Sequence, residues 1–226
     1  MIWLTACTLN EPILVAHRAL GVVEDAEENQ PNHVVAAFEQ GFGAEIDIRL
    51  DGDGCSGDPS LAEVEGCFDL GHTEPNGHTL ANVVDAVWAL PELPSGRPLI
   101  LDIVNDPDHL TVLQLLAYLA SVDPLPLPVV VQTSSAEGLA MLDALRNDSL
   151  VDGDLSFALT YFTNPEFTAP AGADLIISNI AELPASPMPV PVAVFGVATE
   201  SAWSQAVYAA SDVRWVITDF PGRFAD

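Results

Sequence analysis

The chain has 226 residues, 49% of them hydrophobic, enough to bury a sizeable core in one large domain. It carries 33 acidic residues against 6 basic ones, a formal net charge of −27, and all six basic residues are arginine. That balance argues against nucleic acid as a partner, predicts repulsion from an anionic membrane surface, and excludes Schiff-base lysine chemistry outright. Residues 1–10 stand apart as an N-terminal segment. Leu4-Thr5-Ala6-Cys7 resembles the end of a bacterial lipoprotein signal, yet only six residues precede the cysteine, where a signal's apolar stretch alone takes about 7–15. The segment is read as a signal remnant or as a coincidence. The first reading places the protein outside the cytoplasm: periplasmic, secreted or lipid-anchored at Cys7. No apolar run is long enough to span a bilayer.

Residues 11–226 read as a single domain in which apolar β-like runs alternate with helical patterns. Pro12–Ala16 is the first run, followed by helical spacing over Asn32–Gln40 with Val34, Val35 and Phe38 inward. Ala44–Leu50 alternates. Cys55 and Cys67 then bracket a short acidic loop, a spacing and composition that suit a surface disulfide in an oxidising compartment. Phe68–His72 reads as a strand, and Thr79–Leu90 as a helix with Thr79 at its N-cap. Strand Pro98–Val104, helix Leu110–Leu119, strand Val129–Gln132 and helix Ala136–Leu145, begun at Ser134 or Ser135, follow. Leu155–Phe162, Ala173–Ser178 and Pro191–Val197 are strands, Ser201–Ala210 is a helix, and Val213–Asp219 is the last strand. About eight near-continuous apolar strands joined by helices predict an α/β fold with a parallel sheet, a closed (β/α)8 TIM-type barrel ahead of an open doubly wound sheet. Two features favour the barrel. No glycine-rich phosphate loop follows the first strand, and polar residues end the strands: His17, Asp47, His72, Asp102, Gln132, Tyr161, Asn179 and Asp219.

The chemistry-bearing residues sit at those ends. Alternation puts Glu45 and Asp47 on one inward face, where two carboxylates need a cation or a paired base. An oxygen-rich pair suits Mg²⁺ or Ca²⁺ better than zinc; a salt bridge to Arg18 or Arg49 is the alternative. His17 and His72, at the same mouth beside two acids, read as an acid/base pair. His33 and His109 open helices and read as surface residues, and His78 lies in a turn.

His17-Arg18, Glu28-Asn29, Gly41-Phe42-Gly43, Glu45-Ile46-Asp47, Gly71-His72 and the ending Val216-Ile217-Thr218-Asp219-Phe220-Pro221 together resemble the glycerophosphodiester phosphodiesterase family, from about Ile13 to Arg223. The resemblance implies a (β/α)8 barrel that hydrolyses phosphodiesters with two histidines and a divalent cation. It makes His17 and His72 the acid/base pair and Arg18 the phosphate holder. It makes Glu45, Asp47 and Asp102 the metal ligands and Glu28 their support. The implied partner is a small phosphodiester or a lipid head group. Departures are Ala19 for the family's glycine, Thr73 for aspartate, Asp102 for glutamate and Val104 for lysine. Losing one charge-assisted bond to phosphate, roughly 1.5–3 kcal/mol, predicts activity lowered about tenfold to a hundredfold, or a phosphate held by other groups. The competing readings are a phospholipase D- or C-like barrel acting on an intact lipid, and a catalytically inactive barrel used as a surface binding protein.

Overall fold

The computed structural model describes residues 12–24, 27–49, 67–92, 95–104, 109–122, 127–146, 155–161, 172–182, 190–208 and 213–225. Its nine strands are β1 Ile13–Ala16, β2 Gly43–Arg49, β3 Asp69–Leu70, β4 Leu99–Ile103, β5 Val129–Thr133, β6 Leu155–Tyr161, β7 Leu175–Asn179, β8 Val192–Phe195 and β9 Val213–Thr218. The helices are α1 Pro31–Glu39, α2 Leu80–Trp88, α3 His109–Ser121, α4 Ala136–Arg146, α5 Glu200–Tyr208 and the short α6 Pro221–Phe224. Proline opens α1 and α6, and side chains fix the starts of three others. Ser135 Oγ accepts the Gly138 N–H at 3.2 Å to open α4, and Thr199 Oγ1 accepts the Ala202 N–H at 3.2 Å to open α5. At α2 the capping runs backwards as well: the Asn82 side chain accepts the Thr79 N–H at 2.9 Å.

The strands form one sheet in the order β1-β9-β8-β7-β6-β5-β4-β2-β3, and β1 pairs in addition with β2. The parallel sheet thus curls back toward its own start in a TIM-like arrangement with helices outside, short of the fully closed barrel expected. The β1–β2 seam is narrow, made by Val15↔Gly43 and Ala16↔Ala44, whereas β1 meets β9 over four residue pairs from Ile13↔Trp215 to Ala16↔Thr218. The run expected as strand Phe68–His72 joins the sheet only at its edge and outside the parallel part. Only Asp69 and Leu70 pair, antiparallel to the end of β2 through Ile48↔Leu70 and Arg49↔Asp69. The reason is local. Gly71 takes φ +134°, a conformation open to glycine, and a side chain there would meet the Glu74 carbonyl at 2.1 Å, so the chain turns away at once.

The interior of the curled sheet is packed by Val15, Ile100, Val130, Leu175, Ile177, Ala193, Trp215 and Ile217. The opposite faces of the same strands pack on the helices, where Val112, Leu115, Leu116 and Leu119 give α3 its apolar stripe. Cys67 is buried at the start of β3 and is disulfide-bonded, while Cys55 and Cys7 lie outside the described residues. If Cys55 is the partner, protein denatured without reductant should show at most one titratable thiol per chain, and three after reduction. Three thiols before reduction would refute the pairing.

Candidate active site

Strand parity builds the site. Counting two residues on from the interior apolar positions gives His17 after Val15, Asp102 after Ile100, Gln132 after Val130 and Asp219 after Ile217, so each points inward at the same end of the sheet. On β2 two successive inward positions are acidic: Glu45 and Asp47 are 2% and 1% exposed. The register then sets Asp47 directly beside Asp102 of β4, and Asp102 beside Gln132 of β5. A cavity of about 200 Å³ opens above them, with His17, Arg18, Glu45, Asp47, His72, Asp102 and Gln132 on one side and Ile177, Phe195 and Ile217 on the other. A recess of about 150 Å³ adjoins it, bounded by His17, Phe195, Ile217, Asp219 and Phe220 among others.

The two histidines are held differently. His17 Nδ1 donates to Asp219 Oδ1 at 2.6 Å, which leaves Nε2 on the cavity side, 4.0 Å from Glu45 Oε2. Burial alone would lower the pKa of His17. The Asp219 hydrogen bond and the charges of Glu45 and Asp219 outweigh it, so the net shift is upward. Asp219 responds in the other direction, its carboxyl lowered first by the same hydrogen bond. His72 stands on the turn after β3, about half exposed, with Nδ1 donating to Asp47 Oδ1 at 3.1 Å. Arg49 holds that turn by donating to the carbonyls of His72 and Thr73, both at 3.2 Å.

Arg18 lies against the acids through backbone and side chain. Its φ of 51° and the 56° of Ala19 are left-handed values that non-glycine residues adopt at a cost of about 1–2 kcal/mol each. This explains why a glycine would be at ease where Ala19 stands. The contorted turn aims the Arg18 N–H at Glu45 Oε2, 2.8 Å away. The guanidinium reaches Glu28 at 3.1 Å and Asp47 at 3.2 Å. Glu28 is thus brought to the arginine, and the alternative expectation of an Arg18–Asp47 ion pair is met as well.

Two groups in this network carried no assigned role in the sequence. Asn29, fully buried, donates from Nδ2 to Asp47 Oδ2 at 2.9 Å and accepts the Asp47 N–H at 2.8 Å, a reciprocal clamp on one carboxylate. Its φ of 57° is one that asparagine tolerates. Asn76 donates to the carbonyls of Glu28 and Asn29 at 3.2 and 3.1 Å and so ties the His72 turn to the turn that carries the clamp. The Glu28-Asn29 pair was the available signal for the first. Nothing local marks the second. Asn29→Leu should lower stability by about 2–3 kcal/mol in urea unfolding, because it orphans the buried Asp47 N–H and leaves Asp47 Oδ2 with the Arg18 guanidinium in place of two partners; a change under about 0.5 kcal/mol would contradict the clamp.

Glu45, Asp47 and Asp102 each offer a carboxylate oxygen, all within 4.8 Å of one another. Burial raises the Glu45 carboxyl to about 7, with the neighbouring Asp47 charge adding to it. Burial, Glu45 and Asp47 raise Asp102 well above the ordinary range. A buried, all-oxygen donor set that holds protons this tightly is under-neutralised by Arg18, and it fits a hard divalent cation such as Mg²⁺ or Ca²⁺.

The remaining strand-end residues divide. Asn179 is occupied by its own turn, accepting the Ala181 N–H at 2.9 Å. The side chains of Tyr161 and His109 lie outside the described residues. His78 uses its backbone to bond Asn76 and Leu70. His33, expected on the surface, is half-buried, its Nδ1 3.0 Å from the Glu27 carbonyl. Val104, two residues beyond Asp102, is half-buried, with its N–H donated to the Ile48 carbonyl at 3.2 Å.

No protein-family model matches the chain, and no curated protein matches it. Among solved structures, a phosphodiesterase of Oleispira antarctica in complex with the product sn-glycerol-3-phosphate superposes with a TM-score of 0.61 over 94% of each chain, at 19% sequence identity. At that identity the likeness establishes the fold.

Proposed function

We propose that this chain is a metal-dependent phosphodiester hydrolase, most closely suited to a glycerophosphodiester, with His17 and His72 as its acid/base pair and Glu45, Asp47 and Asp102 as its cation ligands. The observation that carries the reading is the convergence of two histidines, three carboxylates and Arg18 on one cavity. Each histidine is oriented by a carboxylate, and the buried acids lack neutralising charge. The fold shared with a phosphodiesterase that binds sn-glycerol-3-phosphate supports it.

In this reading a bound divalent cation supplies charge neutralisation at the non-bridging phosphate oxygens. Arg18 adds a second positive charge beside them. One histidine takes the proton of the attacking hydroxyl, from water or from a neighbouring hydroxyl of the substrate, as the new P–O bond forms. As the P–O bond to the leaving alcohol breaks, the other histidine gives its proton to that oxygen. The raised pKa of His17, with Nε2 free of Asp219, fits it to be the donor. That leaves His72 as the acceptor. Phe220, 47% exposed beside the adjoining recess, favours the lipid-directed reading as the second choice.

The test is hydrolysis of glycerophosphodiesters, lysophospholipids and bis(p-nitrophenyl) phosphate, with Mg²⁺ or Ca²⁺ and with chelator. Cleavage that stops on chelation and favours the glycerophosphodiester is expected. Cleavage unaffected by chelator, or none with either cation, would overturn the proposal.

A further inference from the structure

Gln132 is the neutral hydrogen-bonding side chain of a cavity otherwise bounded, among the described residues, by charged or ionisable groups and apolar carbon. It is 5% exposed, and its Oε1 is buried without a hydrogen-bond partner. An unsatisfied polar atom in such a place is destabilising and calls for a purpose. An interior strand position next to Val130 could be filled by another apolar residue at no such cost, since Ile177 and Ile217 occupy comparable positions around the same sheet.

The layout gives the amide a task. Asp102 is its register neighbour on one side, so Gln132 stands at the border of the carboxylate cluster. Opposite lie Ile177, Phe195 and Ile217, a wall suited to a short carbon skeleton. A phosphate seated over the acids and Arg18 would extend its alcohol between that wall and the amide. A primary amide donates through nitrogen and accepts through oxygen, so it satisfies a hydroxyl, which does both. A carboxylate in this position would accept only and add to the repulsion.

We infer that Gln132 is a specificity-determining residue that reads a hydroxyl of the substrate's alcohol, selecting hydroxylated, glycerol-like phosphate esters over plain alkyl esters. This rests on the phosphodiester reading for where the phosphate sits. A site built to bond a hydroxyl discriminates strongly against ligands that lack it, because the protein group is then left unpaired.

The experiment measures Kd by calorimetry in Mg²⁺ for glycerol 3-phosphate and propyl phosphate, which share carbon number and charge but differ in hydroxyls. Wild-type protein should prefer glycerol 3-phosphate by at least about tenfold. In Gln132→Met the preference should shrink to about twofold or less, through weaker binding of glycerol 3-phosphate, with propyl phosphate bound no more weakly than by the wild type. Gln132→Glu, which keeps the acceptor, should weaken both ligands while retaining part of the preference. Equal affinity of the wild type for the two ligands would overturn the inference without any variant. A preference that survives Gln132→Met, or an equal loss for both ligands, would overturn it as well. Diester hydrolysis by the same preparations separates the premise: hydroxyl preference without cleavage in any cation sinks the hydrolase reading alone.

Discussion

His17→Ala and His72→Ala should each lower diester hydrolysis by at least about a hundredfold, since a positioned proton-transfer group typically contributes about 10²–10⁴-fold. Neither change should unfold the protein. His17 is about one-third exposed and His72 about half, and each makes one hydrogen bond to a carboxylate rather than packing in the interior. Asp219→Asn is the finer probe. It keeps the shape and an oxygen able to accept from Nδ1, but it removes the negative charge that strengthens that bond and helps hold the His17 pKa up, so the limb of the pH–rate profile set by His17 should move to lower pH. The variant proteins are compared by circular dichroism and by kcat/KM across pH. Full activity in both alanine variants would end the acid/base assignment, whatever the cation does.

The second large effect concerns the acids without their cation. In chelator, stability should fall as pH rises from about 5 to 8. The sign follows from Glu45. Its folded carboxyl titrates near 7, whereas the unfolded group titrates at 4.5. Below 4.5 both forms are protonated; between 4.5 and 7 the unfolded form ionises first, and folding loses ground as pH rises. At about 1.4 kcal/mol per unit of pKa the loss approaches 3 kcal/mol, and Asp102 acts in the same direction. His17 adds to the trend, because its raised folded value gives stability that is complete below 6.5 and disappears as pH passes above it. Asp219, lowered, contributes fully across the whole window. Millimolar Mg²⁺ or Ca²⁺ should flatten the curve by binding the ionised acids of the folded state. Thermal melts at four pH values, with chelator and with cation, decide it. Parallel curves would show that no cation binds there. Glu45→Gln should flatten the chelator curve and remove the response to cation.

How much of this was legible in sequence depends on distance along the chain. The pair Glu45 and Asp47 was readable because alternation on a strand fixes both on one face, whereas Asp102 was readable only as a polar strand end, its place beside Asp47 being set by the β2–β4 register and its role as a ligand implied by the family resemblance. His17 and His72 were readable as polar residues ending apolar runs. The partner of His17 had no assigned role. Asp219 lies 202 residues away, and only the β1–β9 pairing brings it within 2.6 Å. Asn29 was invisible as a clamp for a related reason: its side chain is aimed by a left-handed turn, and turn geometry at a non-glycine residue leaves little trace in composition. Phe68–His72 had the apolar content of a full strand, but Gly71 and its close approach to Glu74 ended the pairing after two residues.

The narrow seam of the sheet has a consequence for how the molecule breathes. Two residue pairs join β1 to β2 there, and the next links across the gap come from the site: the Arg18 N–H on Glu45, the Arg18 guanidinium on Asp47 and the Asn29 clamp. The polar cluster is therefore also the clasp of the curled sheet. Amides flanking this junction should exchange with solvent by partial opening, ahead of those between β4 and β5, where five residue pairs hold. Each such opening parts His17 from Glu45, so the polar cluster comes apart while the rest of the fold stands. A cation drawn to the acids would slow that exchange, and occupancy would be readable as a local tightening of the seam.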